Sequence, residues 1–332
     1  MIRPHSRRVV MLILLWPAAV TVAYAQAPPT TAGWTLARTP DGQPDLQGTW
    51  TNATITPLER PRALGEKAFL TEAEAAAFEK RIAEQRSATD KFGPLELGSY
   101  NRFWYDDGTT VLSTRQTSLV VDPPDGQVPV RPSAEARRDN YAARSADSYE
   151  FMSVWDRCIT RGVPGSMFPA GYNNAYQIIQ TPGYVTIVYE MIHDARIIPI
   201  DNRPPLPPRV QLWLGDSRGR WDGDTLVIET TNFNNKGWIT TSAASGRIKG
   251  IPHTDNLRVT ERLKRVSRDE ISYSATIEDP AIYTRPWTVA FPLTSEPDYR
   301  IYEYACHEGN YSIENILRGA RAQEKAAGKK QE

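Results

Sequence analysis

The spacing of apolar positions along this chain changes near residue 175. Before that point they recur at helical intervals or are interrupted by prolines; after it they alternate with polar positions. Residues 71–86, TEAEAAAFEKRIAEQR, predict a helix: Thr71 and Glu74 form a capping box, and Phe78 and Ile82 share one face. A second helix is predicted from Ser133 onward in residues 133–151, SAEARRDNYAARSADSYEF. Between the two, residues 117–130 predict a strand that ends in a Pro-Pro-Asp-Gly turn. Upstream, residues 26–48 are rich in Pro, Gly and Thr and predict an extended leader, with ordered structure beginning at Trp50.

The second half predicts strands almost without a break: AYQIIQ, YVTIVYEM, ARIIPI, SRGRWDGDTLVIETTNF, DNLRVTERLKRV, DEISYSATIED, PWTVAFPL and RIYEYA. Asp222-Gly223, set between two strand-like runs, is a strong hairpin signal. Antiparallel strands joined by short turns close into a barrel or a strongly curved sheet. The tail from Glu314 predicts a helix. The expected organisation is therefore residues 26–150 as leader and helical extension, 151–312 as barrel, and 313–332 as helical tail.

The first 25 residues stand apart. Arg3, Arg7 and Arg8 precede the apolar run VVMLILLWPAAVTV, and Ala23-Tyr24-Ala25 supplies an A-x-A cleavage site. This is the pattern of a secretory signal peptide cut between Ala25 and Gln26, and it predicts a periplasmic or secreted protein. The run is shorter than the roughly 20 residues that span a bilayer, and no later segment is apolar enough to do so. Removing the three arginines leaves 36 basic against 39 acidic side chains. A near-neutral chain without basic blocks argues against nucleic-acid binding. The two cysteines, Cys158 and Cys306, predict a disulfide in an exported protein.

Three motifs, GDSRGRWDGDTLVIETTNF, PHTDNLRVTERL and DPAIYTRPWTV, occur in that order, with TPDGQPDLQGTW before them and YEYACHEGNY after. In these the chain resembles a large group of secreted bacterial proteins without an established function. Its strand pattern is similar to calycin barrels, the lipocalin-like folds that hold small apolar ligands. The expected fold is thus mainly β, an antiparallel calycin-like barrel with an N-terminal helical extension. Neither resemblance brings a catalytic residue with it.

Candidate chemistry is sparse. Ser217 fits G-x-S-x-G, but it runs into a hairpin pattern instead of the strand-to-helix turn that a nucleophile elbow needs. After signal removal three histidines remain: His193 beside Glu190, Asp194 and Arg196; His253 near Asp255; and His307 between Glu303 and Glu308. A carboxylate can orient an imidazole and stabilise its charged form. Three histidines also suit a zinc-type metal. However, Glu190 and His193 would point to opposite faces of a strand. In LRVTERLKR, Glu261 falls among Leu257, Val259 and Leu263 on the apolar face, so it is either paired with an arginine such as Arg285 or Arg196 or used to orient a ligand. Tyr172, Asn173, Asn174 and Tyr176 combine aromatic and amide groups that suit a ring ligand, although asparagines also serve turns.

Two functions follow, with a third behind them. The first is cofactor-independent acid/base chemistry on a small ring-containing molecule: His193 or His307 as base, Glu261 or Asp194 as its partner, and Arg196 as anion stabiliser. The second is a binding protein that uses the same groups without turnover, with Glu190, His253 and the 172–176 cluster touching the ligand. The third is a metal-dependent hydrolase built on the three histidines.

Overall fold

The structure, a computed structural model, describes residues 33–89, 105–201 and 203–328. The expected signal peptide lies outside the described residues. The fold is mainly antiparallel β, with a nearly closed barrel of nine strands and few helices. Strands β1 (Gly48–Thr51), β3 (Ala175–Thr181), β4 (Tyr184–Tyr189), β5 (Ala195–Pro199), β6 (Asp216–Asp222), β7 (Thr225–Thr231), β8 (Arg258–Arg265), β9 (Glu270–Glu278) and β10 (Trp287–Ser295) form the wall. The tenth strand, β2 (Val120–Asp122), lies off this path and pairs with β10.

The sheet order is β5-β4-β3-β1-β10-β9-β8-β7-β6. Two hairpin meanders, β3 to β5 and β6 to β10, are therefore joined by β1, which pairs with β3 on one side and β10 on the other. Sequence patterning confined the barrel to residues 151–312, but the wall also takes in β1 from further upstream. Barrel closure brings β5 against β6. There Gly219 permits the approach: a Cβ on it would meet Ile200 Cδ1 at 2.5 Å and Ile198 Cγ2 at 3.0 Å. Gly219 is the last residue of the G-x-S-x-G match, and Ser217 spends its hydroxyl on Thr230 Oγ1 across the hairpin, 3.0 Å away.

Period-two alternation decides which side chains enter the lumen. Along β8, Val259, Glu261 and Leu263 are buried; along β9 the buried set is Ile271, Tyr273, Ala275 and Ile277. With Trp50, Tyr189, Trp287 and Phe291 they fill the interior. The Arg196 guanidinium on β5 reaches across to Glu261 on β8 through two hydrogen bonds, Nη1 to Oε1 at 3.2 Å and Nη2 to Oε2 at 2.5 Å. Tyr273 donates to the same carboxylate at 2.9 Å, and Arg196 Nη1 also donates to Tyr189 Oη at 3.1 Å. Of the two arginines considered for Glu261, Arg285 pairs instead with Asp122 on β2.

The helices follow their sequence signals. In α1 (Glu72–Thr89) the capping box is complete: Thr71 N–H donates to Glu74 Oε2 at 2.8 Å, and Glu74 N–H donates to Thr71 Oγ1 at 3.3 Å. Helix α2 (Pro132–Ala143) starts with proline in its first turn and stops well before residue 151. Ser145, Asp147 and Ser148 are weak helix formers, and Ser148 instead caps a separate 3-10 turn at Tyr149–Phe151. Helix α3 (Ser312–Ala326) closes the described chain. No described helix is long and apolar enough to cross a membrane.

Two expected strand segments differ. Residues 300–305, RIYEYA, form no strand although they alternate correctly. Their backbone is held by side chains rather than a ladder: Tyr302 N–H donates to Glu190 Oε1 at 3.2 Å and Tyr304 N–H to His193 Nδ1 at 3.1 Å. The strand expected to run through Glu190 ends at Tyr189, and Met191–His193 is a 3-10 turn with Ile192 and His193 at positive φ. Glu190 and His193 therefore act on one neighbouring segment instead of pointing to opposite faces of a strand.

Candidate functional site

A groove of about 1430 Å³ lies outside the barrel lumen, and none of its lining residues belongs to a strand. That is larger than the roughly 300–1,000 Å³ of ordinary small-molecule pockets. Its walls come from residues 151–156, the 172–173 turn, Glu190, the extended 299–306 segment and one side each of α2 and α3. The disulfide Cys158–Cys306 joins two of these walls, with 148 residues between its ends. Asn310 Nδ2 adds a bond to the Asp156 carbonyl at 3.3 Å on the same side. At its far end α3 is tied to the chain beyond α2, where Arg321 donates to the carbonyls of Ala146 and Asp147.

Aromatic rings form one face. Trp155 and Tyr172 lie 6.1 Å apart, and Tyr172 and Tyr304 6.5 Å apart with planes within 10°. All three pack on a small cluster of Ala170, Met191 and Ile192, separate from the barrel core. Backbone strain gathers here as well: of the six described non-glycine residues at positive φ, Cys158, Asn173, Ile192 and His193 belong to this region. For a β-branched residue such as Ile192 that conformation is costly.

Three buried polar atoms at this site lack a partner among the described residues: Glu190 Oε2, Trp155 Nε1 and Arg161 Nη2. Glu190 is 1% exposed and lines the groove. Its Oε1 accepts from Tyr299 Oη at 2.7 Å and from Tyr302 N–H, which leaves Oε2 with its hydrogen-bonding capacity unused. Burial and this bond push the Tyr299 hydroxyl well above its ordinary value, so it stays a proton donor to Glu190. Arg161 is buried near Tyr172, Tyr176 and Tyr304 but does not line the groove, and burial lowers its pKa. An unsatisfied buried polar group costs about 1–3 kcal/mol, and two of these three belong to residues that line the groove, Glu190 and Trp155.

The structure brings some sequence candidates together here and leaves others elsewhere. Tyr172, Asn173 and Glu190 line the groove. Asn174 instead ties loops together, accepting from Ala170 N–H at 2.8 Å and donating to the Asp106 carbonyl at 2.7 Å. Tyr176 sits in the barrel core, edge-on to Tyr189. Asp194 accepts from Thr160 Oγ1 at 2.6 Å, and burial raises its carboxyl above the usual range. Arg196 and Glu261 are locked together in the lumen and do not line the groove. His193 holds Tyr304 from behind, and His307 is exposed beside the disulfide. Among the described residues, no group of three His, Cys, Asp or Glu side chains is placed to hold a metal ion.

His253 occupies a separate buried niche. Its Nδ1 lies 3.1 Å from the Thr254 carbonyl, its ring meets Phe233 edge-on, and Gly237 leaves the space that Nε2 fills. Burial lowers its pKa from 6.5, opposed by the Thr254 carbonyl and the charge of Asp279 and reinforced by that of Arg137. The unfolded chain therefore binds a proton at this residue at a higher pH than the folded one. Stability from His253 is present above pH 6.5 and declines as pH falls from 6.5 toward the lowered folded value. Thermal melts from pH 7.5 to 5 should show a steeper loss in the native protein than in His253→Gln; parallel curves would count against this.

Sequence reasoning passed over Trp155, Arg161, Tyr299 and Tyr304. One signal was available: if Cys158 pairs with Cys306, the aromatic residues three before one cysteine and two before the other are brought into one neighbourhood, where Tyr172 lies between them. No family model, curated protein or solved structure matches this chain.

Proposed function

We propose that this is an exported protein that binds a small ring-containing molecule, and that the ligand sits in the groove beside the barrel. The observation that carries this is an aromatic-walled groove lined by Glu190 and Trp155, each of which keeps a buried polar atom, Oε2 and the indole N–H, without a partner among the described residues. Rings stack on such walls, and the few polar groups fix their orientation. A filled lumen supports the groove as the binding site. The Cys158–Cys306 bond and the signal-like N-terminus support export. The ordered motifs quoted above support membership of the secreted bacterial group.

Binding without turnover is the better-supported form of this function. The groups considered for acid/base work are dispersed: Glu261 and Arg196 neutralise each other, and His307 stands in solvent. The test is ligand-observed NMR with 4-ethylphenol at millimolar concentration. Saturation transfer is expected with the native protein and should fall several-fold in the Trp155→Ala/Tyr304→Ala variant. If none of 4-ethylphenol, tyramine and 3-(4-hydroxyphenyl)propionate gives a signal, the proposal fails.

A further inference from the structure

The groove has a charge preference as well as a shape. Four carboxylates line it, those of Asp106, Asp156, Glu190 and Glu303, and none forms an ion pair with a described residue. Of the two cations on the lining, Arg138 is already paired with Asp139 and bonded to the Arg247 carbonyl, and Lys249 is exposed. Asp156 is partly satisfied by the Ser153 hydroxyl at 2.6 Å and Asp106 by Asn174 N–H at 3.2 Å. Glu190 differs from these three because it is buried, so its charge is poorly screened and one of its oxygens is idle.

From this placement we infer that the ligand is an organic cation: a ring carrying a protonated amine, with the ammonium group on Glu190 Oε2 and the ring against Trp155, Tyr172 and Tyr304. This rests on the groove being the binding site. A carboxylate buried to 1% exposure without a counter-charge is costly, and a ligand ammonium supplies both the missing charge and the missing donor. The surrounding ring faces favour a cation in the same position. Arg161 does not reverse the preference. It lies near Tyr172 and Tyr304 without lining the groove, so the side chain that meets the ligand is the carboxylate. The Tyr299 hydroxyl and Tyr302 N–H hold Oε1, which orients the carboxylate before the ligand arrives.

Three probes that share one ring separate the alternatives: tyramine (cationic), 4-ethylphenol (neutral) and 3-(4-hydroxyphenyl)propionate (anionic). Titration calorimetry at neutral pH and low salt is expected to rank them in that order, with tyramine about 10- to 100-fold tighter than 4-ethylphenol. In Glu190→Gln that advantage should collapse to within a few-fold, because glutamine still accepts from Tyr299 and Tyr302 but carries no charge. Should Glu190→Gln not fold, the ranking on native protein decides alone. Equal affinity for tyramine and 4-ethylphenol overturns the cation assignment and leaves the binding site standing. Tightest binding of the propionate also overturns it and points to Arg161. Absence of binding by all three overturns both the assignment and the proposed function.

Discussion

Glu261→Leu is expected to destabilise the protein by about 3–5 kcal/mol, because it leaves the Arg196 guanidinium buried at 3% exposure with no counter-charge. Tyr273 loses its acceptor in the same step. Against the usual 5–15 kcal/mol of a folded domain, this is close to unfolding. The paired variant Arg196→Met/Glu261→Leu removes both charges, and it is expected to recover most of the loss, since apolar replacements of buried ion pairs are often neutral or stabilising. Urea denaturation midpoints measure both. A single variant that melts like the native protein would show that the lumen is wetter than the described packing allows.

Removing the disulfide is the second large effect. For Cys158→Ser/Cys306→Ser, the 148-residue separation predicts a loss of roughly 5 kcal/mol in the chain-entropy account. The damage should also be local. The bond joins the Trp155 wall to the Tyr304 wall, while the barrel ladders run elsewhere. Limited proteolysis should therefore cut first within residues 300–328 in the variant, with the strand region protected for longer. Uniform cleavage across the chain, or an unchanged denaturation midpoint, would contradict this division of labour.

How far the sequence led depended on what each segment bonds to. In the two hairpin meanders alternation located the strands, whereas β1, four residues long, was not among the expected ones. The inward position of Glu261 is readable from Leu257, Val259 and Leu263, and β6 and β7 turn where Asp222-Gly223 indicated. The same alternation misled at RIYEYA, because its N–H groups are taken by the side chains of Glu190 and His193, and no local pattern announces such acceptors. It misled again at YVTIVYEM, where β-branched residues predict a strand through Glu190 but the chain breaks at Ile192 into positive φ. Such strain costs energy locally, and only the tertiary contacts of the groove hold it in place. The groove itself was legible only through the cysteine pair, whose closure sets Trp155 near Tyr304.

The position of β1 bears on how the polypeptide reaches this state. It is the first strand among the described residues, yet its neighbours are β3 and β10, so Trp50 pairs with both Tyr176 and Ser295. Each meander can assemble from nearby residues, but joining them requires a contact across some 245 positions, the slow kind to form. The earliest-made strand thus has to wait for the latest-made one. A chain cut short before β10 would keep its hairpins and have nothing on the far side of β1 to complete the wall. The wall in this way reports that β10 has arrived, since until then the two meanders have no strand to join them through β1.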